Sequence, residues 1–218
     1  MKFQKIILPL ILISLIILSS GCFAQQKNQP QTQHWKFDFG TAKVATGYTP
    51  ADASSYYSDE TGYGFEKGSA INMVNRGGTN ALTDGFVTAD KPFYFSVKVP
   101  EGNYHVKVTV GDKEGTSDAA IRAECRRMMV NRLQTKKGET KTVEFTLHIR
   151  DSLIRNATGV YSKVRLKPRE RAYFHWDNKL TLEFNGAAPK VDAIEITPTS
   201  GDVVTMFLAG NSTDVDQA

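Results

Sequence analysis

The chain has 218 residues, with 27 basic and 23 acidic side chains and a net charge of +4 at neutral pH. This length allows one large all-β domain or two small domains. Because the two charge signs nearly balance and no concentrated basic patch is present, the composition argues against a nucleic-acid-binding protein.

The first 24 residues have the features of an export signal. Residues 1–5 are basic, and the apolar run 6–18 is shorter than the ~20 residues of a transmembrane helix. Two cleavage patterns compete: small residues at Cys22 and Ala24 suit release of a free protein, whereas the segment ending at Cys22 resembles a bacterial lipobox, which would lipidate that cysteine. We expect an exported protein that is periplasmic, secreted or anchored as an outer-membrane lipoprotein.

The next part of the chain changes from polar to strand-forming sequence. Residues 25–33 are rich in Gln, Asn and Pro and predict a flexible leader. Strict alternation of apolar and polar residues predicts a first strand at 35–39. The Gly- and Ser-rich sequence 41–90 predicts long loops with short strands.

The middle of the chain alternates regularly. Residues 93–99 and 104–110 flank a turn at Pro100, and this pattern predicts an antiparallel hairpin with one face in the core. Further strand segments are predicted at 117–130, 141–149, 180–184 and 191–196, with Asn185-Gly186 closing the third of these. Many short strands separated by turn signals predict one β-sandwich over residues 34–198, followed by a linker at 199–202.

A different pattern begins after the linker. The apolar run 203–209 predicts a strand buried on both faces, and Gly210 permits a tight turn. Asn211 and the residues after it are good helix N-cap types. Ser212 would therefore lie at the edge of a sheet and the N-terminus of a helix, where backbone amides stabilise negative charge. We predict that residues 203–218 begin a second domain.

These segments together resemble a known family. Residues 207–213 resemble the first conserved block of SGNH hydrolases, most closely the form in rhamnogalacturonan acetylesterases of Bacteroidetes, with Asn211 in place of the usual aspartate. Residues 126–129, 145–150 and 176–184 resemble the galactose-binding-like sandwich that precedes the catalytic domain in those enzymes. The resemblance implies an all-β galactose-binding-like jelly-roll β-sandwich, followed by the first strand of a truncated α/β SGNH hydrolase domain.

The resemblance also implies a serine esterase mechanism. Ser212 would attack the carbonyl carbon of a sugar O-acetyl group, with a histidine as general base and an aspartate orienting it. Gly210 and Asn211 would support the turn, and the Ser212 N–H would help to hold the oxyanion. The histidine and aspartate are expected beyond Ala218, so we expect the full-length protein to be an esterase and this chain alone to be inactive. The implied partners are acetylated plant cell-wall polysaccharide, pectic rhamnogalacturonan, and the catalytic domain of the same gene product.

Two other functions stay open from the sequence. The chain could be a carbohydrate-binding module without catalysis, or a structural sandwich that only supports a neighbouring domain. Tyr173 and Trp176 are candidates for stacking on a sugar ring, although a tryptophan that caps the sandwich core competes with this interpretation for Trp176.

The sequence indicates no cofactor apart from a weak structural calcium signal. Carboxylate oxygens suit Ca²⁺, but no spacing here resembles a defined calcium loop. The carboxylates considered for such an ion are Asp38, Asp59, Glu60 and Asp192.

Overall fold

The computed structural model describes residues 33–40, 43–199 and 203–206. These residues form strands and two short 3₁₀ helices, Ala81–Thr83 and Pro168–Glu170, and contain no α-helix. The all-β prediction is therefore confirmed. The strands are β1 Trp35–Asp38, β2 Thr49–Pro50, β3 Tyr63–Phe65, β4 Asn72–Asn75, β5 Gly85–Thr88, β6 Phe93–Lys98, β7 Gly102–Gly111, β8 Ser117–Ala123, β9 Arg127–Thr135, β10 Thr140–Ile149, β11 Leu153–Asn156, β12 Gly159–Lys163, β13 Lys179–Ala188 and β14 Lys190–Pro198.

Most strands belong to two sheets. The larger sheet has seven strands in the order β10-β7-β14-β1-β2, with β5 pairing to β14 and β4 pairing to β5. The smaller sheet has five strands in the order β3-β6-β13-β8-β9. Strands β11 and β12 form a separate hairpin, and all pairings are antiparallel except that of β1 with β2.

A cluster of phenylalanines joins the two sheets. The Phe95 ring on β6 lies 4.9 Å from Phe37 on β1, 5.2 Å from Phe39 and 5.0 Å from Phe65 on β3, measured between ring centroids. All four side chains are buried. The apolar positions of the alternating strands therefore face one shared core, as the sequence pattern predicts.

The predicted hairpin of residues 93–99 with 104–110 is wrong. Strand β6 pairs with β3 and β13 in the smaller sheet, whereas β7 pairs with β10 and β14 in the larger sheet. The turn after β6 carries the chain across the core, and the Tyr104 hydroxyl fixes it by donating to the Pro100 carbonyl at 2.6 Å. The alternation of apolar and polar residues identifies the core-facing side of a strand but not its pairing partner. Two strands on opposite sides of the core therefore show the same alternation as two strands paired in one sheet.

The Asn185-Gly186 pair also has a different role from the predicted one. Strand β13 continues through it to Ala188, and the register against β8 shifts between Asn185 and Ala188. Gly186 has φ +116°, and a Cβ atom there would lie 2.4 Å from the Asp118 carbonyl oxygen. The glycine thus permits a β-bulge rather than ending the strand.

Of the predicted buried strand 203–209, the structure describes only residues 203–206. Val203–Met206 has no regular secondary structure, and Val204 and Met206 are 90% and 77% exposed. A strand of this kind needs neighbours on both sides, and these residues have none in the described part of the chain. The described residues also include no helix with the length and hydrophobicity needed to cross a bilayer.

Candidate functional site

A row of side chains crosses the outer face of the smaller sheet. Glu183 on β13 is opposite Tyr94 on β6 and Arg122 on β8, and Arg122 is in turn opposite Met128 on β9. These residues point away from the core because their neighbours along each strand point into it. The row forms the floor of a concavity of about 460 Å³, the Arg126 groove, which is lined by Pro92, Tyr94, Arg122, Arg126, Met128, Glu183 and Asn185.

The centre of the groove is an ion pair between Arg122 and Glu183. Glu183 is 5% exposed, and its Oε1 accepts from Arg122 at 3.3 Å and from Asn185 at 3.4 Å. The pKa of the neighbouring Tyr94 hydroxyl is raised, first by burial and then by the Glu183 charge. The hydroxyl therefore stays protonated and can donate to a ligand or to Glu183.

A tight turn between β8 and β9 positions Arg126 beside this row. Both Glu124 and Arg126 have left-handed backbone angles, with φ +53° and +63°, a conformation that costs roughly 1 kcal/mol for each non-glycine residue. Glu124 stabilises the turn, since its Oε1 accepts from the Thr181 N–H at 3.0 Å and its own N–H donates to the Thr181 carbonyl at 2.9 Å. Burial raises the pKa of Glu124 to about 8.

Tyr173 lies against the exposed end of the groove. The residue is 44% exposed, and its ring centroid lies 6.0 Å from the Arg126 guanidinium carbon, within range of a cation–π contact. The next residue, Phe174, packs on Tyr94 at 5.1 Å between ring centroids. The structure thus brings one of the two predicted aromatic residues to the groove.

The loop that carries these aromatics is tied to the sheet by a partly buried lysine, Lys179. Lys179 Nζ lies 2.8 Å from Glu66 Oε1 and 5.2 Å from the centroid of the Phe174 ring. Glu66 is in turn held by Ser96, whose hydroxyl donates to it at 2.7 Å. This network fixes Phe174, and through it Tyr173, against the outer face of the sheet. The members of this network lie far apart in the chain, so no local sequence pattern indicates it.

Trp176, the second predicted aromatic residue, lies outside the groove. It has φ +57°, is half-buried, and pairs with Asp151 in an isolated β-bridge. The Arg150 guanidinium carbon is 5.7 Å from its ring centroid. Trp176 lies three residues before the first residue of β13 instead of opening the strand. It is absent from the side chains that pack against the core.

A second concavity of about 460 Å³ lies between β1 and the loop before β3. It is lined by residues that include Trp35, Asp59, Tyr63 and Lys98. Its two lysines both have carboxylate partners, since Lys98 Nζ is 3.3 Å from Asp59 Oδ1 and Lys36 Nζ is 3.2 Å from Glu195 Oε2. The Arg126 groove is therefore the better candidate for a charged ligand.

The four carboxylates considered for calcium do not meet at one place. Asp59 and Glu60 are exposed, whereas Asp38 and Asp192 are buried. The Asp38 charge affects both Asp192 and the buried Asp84. Both Asp38 oxygens accept backbone N–H groups at 2.7 Å, from Gly40 and Ala45.

The described residues contain no group of three Asp, Glu, His or Cys side chains placed to hold a metal ion. Asp84 Oδ1 and Asp192 Oδ2 are nevertheless buried without a hydrogen-bond partner there. Burial first, and then nearby carboxylates, raises the pKa of Asp84, and that of Asp192 to about 9. With this pKa, Asp192 is mostly protonated at neutral pH.

The other predicted site residues lie outside the described residues. These are the lipidation candidate Cys22 and the esterase turn of Gly210, Asn211 and Ser212. The lipidation of Cys22 and the catalytic role of the turn therefore stay predictions from the sequence.

The described residues thus form an all-β sandwich of two sheets with an open groove on the outer face of the smaller one. The chain belongs to the beta-agarase/YxiM esterase-like, galactose-binding domain-like family, whose family model matches residues 35–156. Tyr94, Arg122, Arg126 and Met128 of the groove lie within the matched region.

A bacterial protein is similar to this chain in sequence and in structure. The chain is 31% identical over 109 residues to the uncharacterized esterase YxiM of Bacillus subtilis strain 168, a match that covers 47% of this chain and 28% of YxiM. The crystal structure of B. subtilis YxiM superposes with a TM-score of 0.54 at 24% identity, over 77% of this chain and 40% of that chain. The second match supports the fold. The chain thus spans less than half the length of the relative it matches.

Proposed function

We propose that this chain is the polysaccharide-binding, N-terminal part of an exported carbohydrate esterase of the SGNH class. Membership of a galactose-binding-like family over residues 35–156 is the observation that carries the binding role. The open groove supports it, because a shallow polar cleft with exposed aromatic and apolar edges suits a sugar chain. The esterase role is supported by the similarity to a relative named as an esterase and by the sequence resemblance around Ser212.

The proposed substrate is acetylated pectic rhamnogalacturonan. In the full-length protein, the sandwich would hold the polysaccharide near a catalytic domain that removes O-acetyl groups. Ser212 would be the nucleophile, supported by Gly210 and Asn211. Export, with or without a lipid on Cys22, would place the protein where such polysaccharide is met.

Affinity electrophoresis of the 218-residue chain tests the binding role. The chain should migrate more slowly in gels that contain rhamnogalacturonan than in gels without polysaccharide, while a protein of similar size and charge should not be retarded. Unchanged migration in rhamnogalacturonan, galactan and polygalacturonate gels would leave only structural support of a neighbouring domain.

The same chain should not hydrolyse p-nitrophenyl acetate above the buffer rate. The resemblance assigns the general base and its aspartate to blocks that follow the first one, and a serine without a base is a weak nucleophile. The control is the Ser212→Ala variant, whose rate should equal that of the unmodified chain. Turnover that this substitution abolishes would contradict the prediction.

A further inference from the structure

Arg126 is the one cation lining the groove that lacks a carboxylate partner in the described part of the chain. The other arginine there, Arg122, is paired with Glu183 at 3.3 Å. Among the described residues, no carboxylate lies within 4.0 Å of the Arg126 guanidinium. The guanidinium instead contacts the Tyr173 ring. The groove therefore has an excess positive charge at the exposed end of the row.

The backbone around Arg126 is ordered in a conformation that a non-glycine residue rarely adopts. Its N–H donates to the Glu124 carbonyl at 2.9 Å, and the buried Glu124 side chain binds the backbone of β13. Left-handed non-glycine residues persist only where their surroundings fix them, and they concentrate at binding sites. The turn is thus fixed from inside the sheet, while its arginine faces solvent.

The contact with Tyr173 leaves the guanidinium ready to bind an anion. A guanidinium that rests on an aromatic ring keeps the N–H groups along its edges free, and these match the two oxygens of a carboxylate. Met128, 47% exposed, adds an apolar surface at the same groove, and the C–H face of a sugar ring can pack on such a surface. A volume of about 460 Å³ is within the usual range of about 300–1,000 Å³ for small-ligand sites.

We propose that the Arg126 groove binds a uronate residue of an acidic polysaccharide, with the sugar carboxylate paired to Arg126 and the ring packed beside Tyr173 and Met128. This proposal rests on the proposed polysaccharide-binding function and adds the charge and the place of the bound sugar. A neutral galactan would leave the Arg126 charge without a partner, so the groove discriminates between acidic and neutral chains.

Isothermal titration calorimetry on the full 218-residue chain tests this proposal with three probes: trigalacturonate, its methyl ester and neutral galactotriose. The methyl ester keeps the sugar rings and removes the charges. We expect trigalacturonate to bind about tenfold or more tightly than either neutral probe. Arg126→Gln should weaken trigalacturonate binding by about tenfold and leave the binding of the neutral probes unchanged.

Arg132→Gln is the matched control. Arg132 lies on the same strand region, carries the same charge and pairs with Asp118 outside the groove. Arg132→Gln should change the dissociation constant for trigalacturonate by less than about twofold. Equal weakening by both substitutions would assign the effect to net charge and overturn the proposal. Circular dichroism and the melting temperature of each variant establish that it is folded.

Tyr173→Ala gives a second readout that does not alter the strained turn. It should weaken trigalacturonate binding several-fold, because the guanidinium loses the ring that holds its plane. Equal affinity of the unmodified chain for trigalacturonate and its methyl ester would overturn the uronate proposal and leave polysaccharide binding intact. Failure of all three probes and of all polysaccharide gels would overturn the proposed function as well.

Discussion

Asp192 shows how burial controls the protonation of a single side chain. It lies on β14 at 1% exposure, with Asp112 and Asp38 as the nearest charges that affect it. Its folded pKa of about 9 is above the value of about 3.9 for an unfolded aspartate. The folded state therefore prefers the protonated form. The stability that this group contributes is complete below about pH 4 and is lost as the pH rises towards about 9, by roughly 1.4 kcal/mol per pH unit at most.

Asp192→Asn should therefore stabilise the chain at pH 8 and flatten the fall of its melting temperature between pH 5 and pH 9. Asparagine has the same shape and does not ionise. The exposed Asp90→Asn variant is the control and should follow the unmodified chain. Differential scanning fluorimetry across this pH range is the measurement.

A melting temperature that rises with calcium and falls with EDTA, and loses this response in Asp192→Asn, would contradict the interpretation. It would show that the buried carboxylates hold a cation rather than a proton.

The residues proposed to bind the sugar differ in how far the sequence could identify them. Tyr173 stands in an aromatic cluster, and such clusters are a local signal for sugar contact. Arg126 follows a cysteine and precedes another arginine, with nothing local to separate it from its neighbour. Arg126 is singled out because Arg122 is paired with Glu183 across the sheet, and because the left-handed turn positions Arg126 at the groove. Both features depend on strand pairing, which the alternation of apolar and polar residues does not specify.

At the scale of single elements, strand β13 is organised by its bulge. The bulge at Asn185 and Gly186 shifts the register against β8 and places Asn185 beside Glu183 in the groove. The sequence predicted that the strand ends here, because Asn-Gly is a strong signal for a hairpin turn. A β-bulge needs the same backbone freedom, so the pair alone does not distinguish a bulge from a turn. The inward faces of the strands were predicted well, since burial on one side requires period-two alternation. The assignment of β6 and β7 to different sheets was not predicted.

Gly186→Ala should destabilise the chain by about 2–4 kcal/mol, because the added Cβ meets the Asp118 carbonyl oxygen at 2.4 Å in a backbone that already requires φ +116°. Gly68→Ala is a matched control. Gly68 has φ +95° but nothing within 4 Å of the added atom, so the variant isolates the conformational cost of about 1 kcal/mol. Urea unfolding measures both. Equal losses would show that the bulge relaxes around the methyl group.

At the scale of the whole molecule, Phe95 connects the two sheets. Truncation to alanine removes ring contacts to both sheets at once and leaves a cavity at the centre of the core. We expect Phe95→Ala to lower the unfolding free energy by about 3–5 kcal/mol. The exposed Tyr56→Ala should change it by less than about 1 kcal/mol, and urea unfolding followed by tryptophan fluorescence compares them. A loss below about 1 kcal/mol for Phe95→Ala would contradict a single shared core.

The position of β14 has a consequence for how the protein is made. This strand is the last of the sandwich in the chain, yet it lies inside the larger sheet, where it pairs with β1, β5 and β7. The first strand therefore has no antiparallel neighbour until residues 190–198 have been synthesised. A nascent chain that ends before β14 cannot close the larger sheet, so the sandwich is expected to fold as one late, cooperative step rather than strand by strand as it leaves the ribosome.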